Sequence, residues 1–380
     1  MKDVYINRIS VFFPNEPVSN DDIEKYLGVM NGKKSKSKNI ILRNNGIEKR
    51  YYSIDLQGNI THTNADLSAS AIKKLFEKHP DELRKIDLLA CGTTSPDQLL
   101  PSHAVMVHGL LPETSNIEVV SHSGGCCAGI HSFKHAFLSV KSGEKEKTVC
   151  CGSERMSPIM KAENFEEEIL YLESVEQNPY LSFEKDFLRW MLSDGAGAFL
   201  IENKKNDNNI SLKIEWIELC SFANKLETCM YMGAEKLEDG NIISYHNMNM
   251  QEIAQKSVLS IKQDVKLLSE NIVEQGFNML KGLLENKKID INEIDWFLPH
   301  ISSYFFKNKI YDVLVKNNIS IPYDKWFINL KTTGNVGAGS IYIMLEELFN
   351  NNKLKKSEKI LLAVPESARF SYGFCLLSVC

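Results

Sequence analysis

The chain has 380 residues, 43% hydrophobic and 24% charged, enough length and apolar content for a folded core and too much for a disordered chain. A net charge of −5 and a pI near 6.0 exclude the basic surface that nucleic-acid binding needs as a main activity. No apolar run approaches the roughly 20 residues needed to span a bilayer, and MKDVYINRIS lacks the apolar core of a secretory signal, so a cytoplasmic protein without a membrane partner is expected.

In chain order, Gly32 to Lys38 is a basic run that reads as a solvated loop. Leu67, Ala71 and Leu75 recur at helical spacing. The apolar runs Ile86–Ala90 and Ile117–Val120 read as strands buried on both faces. A glycine-rich turn, Ser121 to Gly129, leads into a helical stripe of Ile130, Phe133, Phe137 and Val140. Met160 to Trp190 is too long for a simple connection and reads as a lid or channel wall. Trp296–Pro299 is a further strand, Ile341, Leu345 and Leu348 a helical stripe, and Ile360–Val364 another buried strand. The nine cysteines form no CxxC pair, which fits a reducing compartment and argues for neither a metal nor a resident cofactor.

Three segments repeat in order at a nearly constant offset. Asp87 in Ile86–Gly92 matches Asp295 in Ile294–His300 at 208 residues, Cys127-Ala128-Gly129 matches Gly337-Ala338-Gly339 at 210, and Lys147–Cys151 matches Lys359–Ala363 at 212. The chain therefore reads as two related halves, 1–205 and 206–380, each alternating strands with helices around a mostly parallel sheet. A duplicated five-layer αβαβα sandwich satisfies this α/β pattern.

The chemistry concentrates at four positions. Cys127 follows a strand and glycines and opens a helix, where helix amides favour thiolate over thiol and can hold an oxyanion. Its neighbour Cys126 is expected to pack behind it. His300 ends the Trp296–Pro299 strand, and the proline aims it out of the sheet. Asn335 lies in Thr332 to Ser340, the second half's version of the cysteine turn; such a turn also uses Asn for its tolerance of positive φ. Glu154 follows the Lys147–Cys151 strand and is either a structural partner of Arg155 or an acid–base group.

Cys-Ala-Gly, Leu-Pro-His and Gly-Asn-Val-Gly-Ala-Gly-Ser, in this order and spacing, resemble the Cys–His–Asn set of type III β-ketoacyl-acyl-carrier-protein synthases of the thiolase superfamily. The resemblance runs from about Val4 to Val379 and includes Asn45 to Arg50, Thr93-Thr94-Ser95 with Pro101-Ser102, and Ser193 to Ala198. It implies the thiolase fold, Cys127 as the acylated nucleophile, and His300 and Asn335 as hydrogen-bond donors to the extender's thioester oxygen. It further implies that Ala368 supplies the second oxyanion amide, beside that of Cys127. Leu100 would reach across a homodimer interface to limit the acyl pocket, and acyl carrier protein or coenzyme A thioesters would be the partners.

Two departures narrow the expectation. Ile301-Ser302-Ser303 stands where the family has Gln-Ala-Asn, and Ile40 to Asn45 lacks the tryptophan that stacks on coenzyme A, which favours carrier-protein delivery. With Leu42 to Ile47, Tyr51-Tyr52 and Thr61 to Asn64, the chain looks most like the ketosynthase/cyclases of dialkylresorcinol and bacterial stilbene pathways. That resemblance implies joining a β-ketoacyl thioester to an α,β-unsaturated acyl thioester and closing a cyclohexane-1,3-dione, with Glu154 assisting. The competing expectations are plain elongation with malonyl-carrier protein, transfer of the acyl group to oxygen or nitrogen, and a non-catalytic subunit.

Overall fold

A computed structural model describes residues 2–32, 35, 37–174, 187–287, 290–319 and 321–380. Its main sheet has nine strands: β1 (Tyr5–Phe12), β2 (Leu88–Thr93), β3 (Glu118–Ser123), β4 (Lys147–Glu154), β5 (Gly195–Glu202), β6 (Leu212–Ser221), β7 (Trp296–Pro299), β8 (Lys359–Glu366) and β9 (Ser371–Val379). Five helices matter for the site: α1 (Asn64–Leu75), α2 (Cys127–Ser142), α3 (Val265–Lys287), α4 (Phe305–Lys316) and α5 (Ser340–Asn350).

The strand order is β7-β8-β9-β6-β1-β5-β4-β2-β3. From the β3 edge to β1, and from the β7 edge to β6, the two halves repeat one order and one set of directions. β2 pairs in parallel with β4 and β7 with β8, while β5 and β9 run antiparallel to both their neighbours. The counterpart of β3 in the second half is reduced to a single parallel bridge, Phe297 to Trp326. The halves are joined through β1 and β6 by only two residue pairs, Tyr5 with Lys213 and Ile6 with Leu212. The sheet is thus mixed rather than mostly parallel, because the fourth and fifth strands of each half form a hairpin-like antiparallel pair.

Period-two alternation along the strands builds the layers. Leu88, Ala90 and Cys150 face a central core together with Ile360, Leu362 and Val364 of the other half. Into that core both α2 (Ile130, Phe133, Phe137, Val140) and α5 (Ile341, Tyr342, Leu345, Leu348) insert their apolar faces. The alternate residues Leu89, Cys91, Val149 and Cys151 face an outer layer holding α1, and Leu361 and Ala363 face the opposite outer layer with α3 and α4. The result is helix, sheet, helix pair, sheet, helix: the five-layer thiolase fold. α1 starts at Thr63, whose Oγ1 accepts the Asp66 N–H while the Asp66 carboxylate accepts the Thr63 N–H, a reciprocal cap that fixes the helix start.

Two local expectations change, and a third falls partly outside the described residues. β3 is an edge strand with its side chains half-buried or exposed, not a strand buried on both faces; an apolar run alone does not separate the two cases. In the basic run, Lys33, Lys34 and Lys36 lie outside the described residues, and Lys38 is not solvated. Its ammonium pairs with Glu24 at 2.7 Å and lies 5.1 Å from the centre of the Trp190 ring. Of the long Met160–Trp190 segment, a turn at Ala162–Phe165 and a helix at Glu166–Ser174 are formed, and 175–186 lie outside the described residues. Among the described residues no helix is long and apolar enough to cross a membrane, and no cluster of His, Cys, Asp or Glu is placed to hold a metal.

Candidate active site

β3 ends at Ser123, and Gly124 (φ +148°) and Gly125 turn the chain into α2. Gly125 is obligatory, because a Cβ there would stand 2.5 Å from Cγ of Glu366. Cys127 is the first helical residue and is wholly buried. Its thiol donates to the Val364 carbonyl at 3.3 Å, and its side chain joins the central core. Cys126, the residue before it, lies on the wall of the cavity described below. The expectation that Cys126 packs behind Cys127 is therefore corrected. One residue turns a helical position by about 100°, and that angle separates a side chain facing the cavity from one facing β8. Burial opposes the thiolate expected at the helix start. It pushes the Cys127 thiol well above its ordinary range, and the carboxylate of Glu366 adds to the shift.

His300 and Asn335 meet on the cavity wall. β7 runs to Pro299, and the next residue anchors itself by donating its backbone N–H to the Ala363 carbonyl at 2.8 Å, so His300 leaves the sheet at a fixed point. Burial lowers the His300 imidazole to about 4, which leaves it neutral. Asn335 is held by an isolated parallel bridge to Leu192: its N–H donates to the Met191 carbonyl at 3.0 Å and its own carbonyl accepts the Ser193 N–H at 2.9 Å. Its Oδ1 accepts the Gly337 N–H at 3.0 Å, which turns the Nδ2 end of the amide away from its own backbone. Positive φ in this turn belongs to Gly334 and Gly337, not to Asn335.

Glu154 ends β4 beside them, completely buried and on the same wall. It is not paired with Arg155, which instead bridges to Asp97 at 3.0 Å. The Glu154 carboxylate accepts the Thr94 N–H (3.1 Å) and Oγ1–H (2.6 Å), the Ser95 Oγ–H (2.7 Å) and the Ala338 N–H (3.2 Å). Desolvation nonetheless raises it to about 6, against the pull of those donors. Behind it, buried Asp194 accepts the Met156 N–H at 2.6 Å and the Ser53 Oγ–H at 2.8 Å, locking the chain that follows Glu154.

A second carboxylate was missed. Glu366 ends β8, the strand equivalent to β4, and is buried against the Gly124–Gly125 turn. The signal was present in the sequence: the offset of 212 that relates Lys147 to Lys359 also relates Glu154 to Glu366.

The cavity encloses about 1150 Å³, its open mouth included. One wall comes from Met156, Leu188, Met191 and Leu192; the other is the apolar face of α3 (Leu268, Ile272, Gly276, Phe277, Leu280) against α4. It continues along β7 to Phe297, three residues or about 10 Å below His300. Ala368 stands at the cysteine turn, its Cβ 3.3 Å from where a Gly125 Cβ would be. Leu100 is not on the wall; it is 86% exposed, beside Leu99 at 79%.

Residues 284–378 match the family model described as the 3-oxoacyl-[acyl-carrier-protein (ACP)] synthase III C terminal. The chain is 26% identical over 367 residues to a β-ketoacyl-[acyl-carrier-protein] synthase III of Clostridium perfringens, covering 95% of each. It is 22% identical over 369 residues to the enzyme of that name from Anaplasma marginale, covering 97% of each. Among solved structures it is similar to AbyA1, a tetronic acid condensing enzyme, with a TM-score of 0.76, 17% identity and 99% of both chains covered. It is equally similar to a variant of Xanthomonas campestris OleA, with a TM-score of 0.76, 17% identity, and 99% of this chain and 98% of the other covered.

Proposed function

We propose that this chain, a condensing acyltransferase of the thiolase superfamily related to β-ketoacyl-acyl-carrier-protein synthase III, joins two acyl thioesters and closes them into a cyclohexane-1,3-dione. The observation that supports ring closure is Glu154: a buried carboxyl raised to about 6 on a cavity wall that also carries His300 and Asn335. A base poised near neutrality is what a second carbon–carbon bond requires.

In this reading an α,β-unsaturated acyl group transfers to Cys127, releasing the carrier thiol. The carbon between the two carbonyls of a β-ketoacyl thioester then loses a proton, with the thioester oxygen of the enolate held by N–H groups of neutral His300 and Asn335. That carbon attacks the acyl-cysteine carbonyl, and the Cys127 sulfur leaves with the proton that the carbon gave up. Glu154 next removes a proton from the carbon on the far side of the ketone. The new carbanion adds to the β-carbon of the unsaturated chain and closes a six-membered ring, the resulting enolate takes the proton back from Glu154 at its α-carbon, and one thioester is left between the ketones. Ala368 and Cys127 supply the backbone amides for the tetrahedral oxyanion. The substrates arrive on acyl carrier protein or coenzyme A, and the working form is a homodimer in which Leu100 contacts the partner copy.

Two observations favour alternatives. The relatives named above are β-ketoacyl-[acyl-carrier-protein] synthases III, which supports simple decarboxylative elongation. The cavity wall carries Cys126, which makes it the rival nucleophile. One experiment separates all of these: incubation with a β-ketoacyl and an unsaturated acyl thioester, then mass spectrometry of the product and of the peptide spanning both cysteines. Ring closure predicts a cyclic dione from the wild type, an uncyclised product from Glu154→Gln, and none from Cys127→Ala. A linear product from the wild type sinks the ring, and acyl mass confined to Cys126 moves the nucleophile by one residue.

A further inference from the structure

We propose that Glu366 is the proton acceptor of the acylation half-reaction: it takes the Cys127 thiol proton as the first thioester is attacked and returns it to the departing carrier thiol. The inference rests on the acyl-cysteine reading of the cavity and is independent of ring closure.

The geometry repeats across the duplication. A Cβ on Gly337 would stand 2.9 Å from Glu154 Cγ, and a Cβ on Gly125 would stand 2.5 Å from Glu366 Cγ. The separation of Glu154 and Glu366 is 212 residues, the offset that relates Lys147 to Lys359. Glu154 accepts the N–H of Ala338, and Glu366 lies against Gly125, whose backbone amide favours its charged form. Each half's fourth strand therefore ends in a carboxylate lodged in the other half's turn. Glu154 serves the Asn335 turn, and Glu366 serves the cysteine turn.

The Cys127 thiol needs such a group. It is buried, protonated and hydrogen-bonded to the Val364 carbonyl, an oxygen that can hold a proton in a hydrogen bond but cannot take it. Val364 and Glu366 are two residues apart on β8, so their side chains leave the same face, toward the start of α2. Among the described residues no ion pair to this carboxylate is formed, and the Arg369 side chain donates its Nε–H to the Leu226 carbonyl at 3.0 Å. What the loop gives Glu366 is the Arg369 backbone N–H, at a long 3.4 Å. The titratable groups that share its field are Cys127 and Cys126 on the turn and Tyr372 on β9, with Glu154 acting on Cys126 from the far side. Burial raises the Glu366 carboxyl from its ordinary value, which makes it a stronger base than a solvent-exposed carboxylate.

In the step, the Cys127 S–H bond breaks and the proton passes to Glu366. The sulfur bonds to the thioester carbonyl carbon, the carrier's C–S bond breaks, and the leaving thiolate recovers the proton. Atoms and charge balance without another reactant.

The test is single-turnover acylation by crotonyl-N-acetylcysteamine, followed as acyl mass on the cysteine peptide from pH 5 to 9. Glu366→Gln, which keeps an acceptor for the Gly125 N–H, should slow acylation by about 10²- to 10⁴-fold and abolish the acidic limb of the pH–rate profile. Glu366→Asp should be slower than wild type with that limb retained, and it carries the test if the Gln variant does not fold. Wild-type acylation by Glu366→Gln, or a uniform slowing that keeps the limb, overturns the proposal, as does an Asp variant without the limb. A wild-type enzyme that forms no acyl-cysteine sinks the acyl-transfer reading and this inference together; a normally acylating Gln variant sinks this one alone.

Discussion

Burial acts in opposite senses on the two ionisable groups at the mouth of β4 and the end of β7. It raises Glu154 to about 6 and lowers His300 to about 4, so at neutral pH the site holds a carboxylate ready to accept a proton and an uncharged imidazole. The signs of the two effects on stability differ. Between the ordinary carboxyl value of 4.5 and about 6 the native state holds a proton on Glu154 that the unfolded chain has lost. Stability from this group therefore falls as pH rises through that window, by about 2 kcal/mol. His300 works the other way: the unfolded chain takes up a proton from 6.5 downward while the native state waits until about 4, so its contribution falls as pH falls. Urea unfolding at pH 4.5 and 7 should show Glu154→Gln losing the first dependence, gaining on wild type at the higher pH. An identical pH dependence in the two proteins contradicts the buried, raised carboxyl.

At the scale of elements, the two glycine turns are where backbone and chemistry constrain each other. Gly125→Ala places a Cβ 2.5 Å from Glu366 Cγ, within a turn closed on both sides, so either the carboxylate or the start of α2 must shift. A cost of about 1–3 kcal/mol is expected, read as a lower melting temperature together with slower acylation. Gly282→Ala, on α3 with open space around the new methyl, is the control and should be neutral or stabilising by up to about 1 kcal/mol. If the two variants melt alike, the close approach of Glu366 to the turn is wrong. The same element scale explains what the sequence left hidden at the nucleophile. A helix start after glycines was readable from Gly124 to Gly129. Which of two adjacent cysteines faces the cavity was not, because the answer depends on how α2 is rotated against β8.

For the whole molecule, the exposed Leu99 and Leu100 and the half-exposed edge strand β3 lie on the half that carries the cysteines. Sedimentation should give twice the 43.2 kDa chain mass, and Leu100→Asp should shift the protein toward the monomer; a monomeric wild type refutes the homodimer. The strands were legible in outline, because buried runs such as Ile86–Ala90 and Ile360–Val364 and the offset near 210 are written in the residues themselves. The antiparallel fifth strands were not, since alternation and burial carry no direction. Nor was the α3–α4 wall, whose Leu268, Gly276 and Leu280 look like any amphipathic face until packing leaves a space beside them. Glu366 was within reach of the duplication and needed only the 212-residue offset carried three residues past Ala363.

The crossed carboxylates also set a timetable for synthesis. The contact of Glu154 with Ala338 spans 184 residues, and that of Cys127 with Val364 spans 237. Contacts this distant in sequence close late and give the fold a high contact order. While the chain is emerging from the ribosome, the cysteine turn can form but has no Glu366 beside it. The surroundings of Cys127 are thus complete only when the last two strands join the sheet, and a truncated or stalled chain lacks both the Val364 carbonyl and Glu366 beside the cysteine turn.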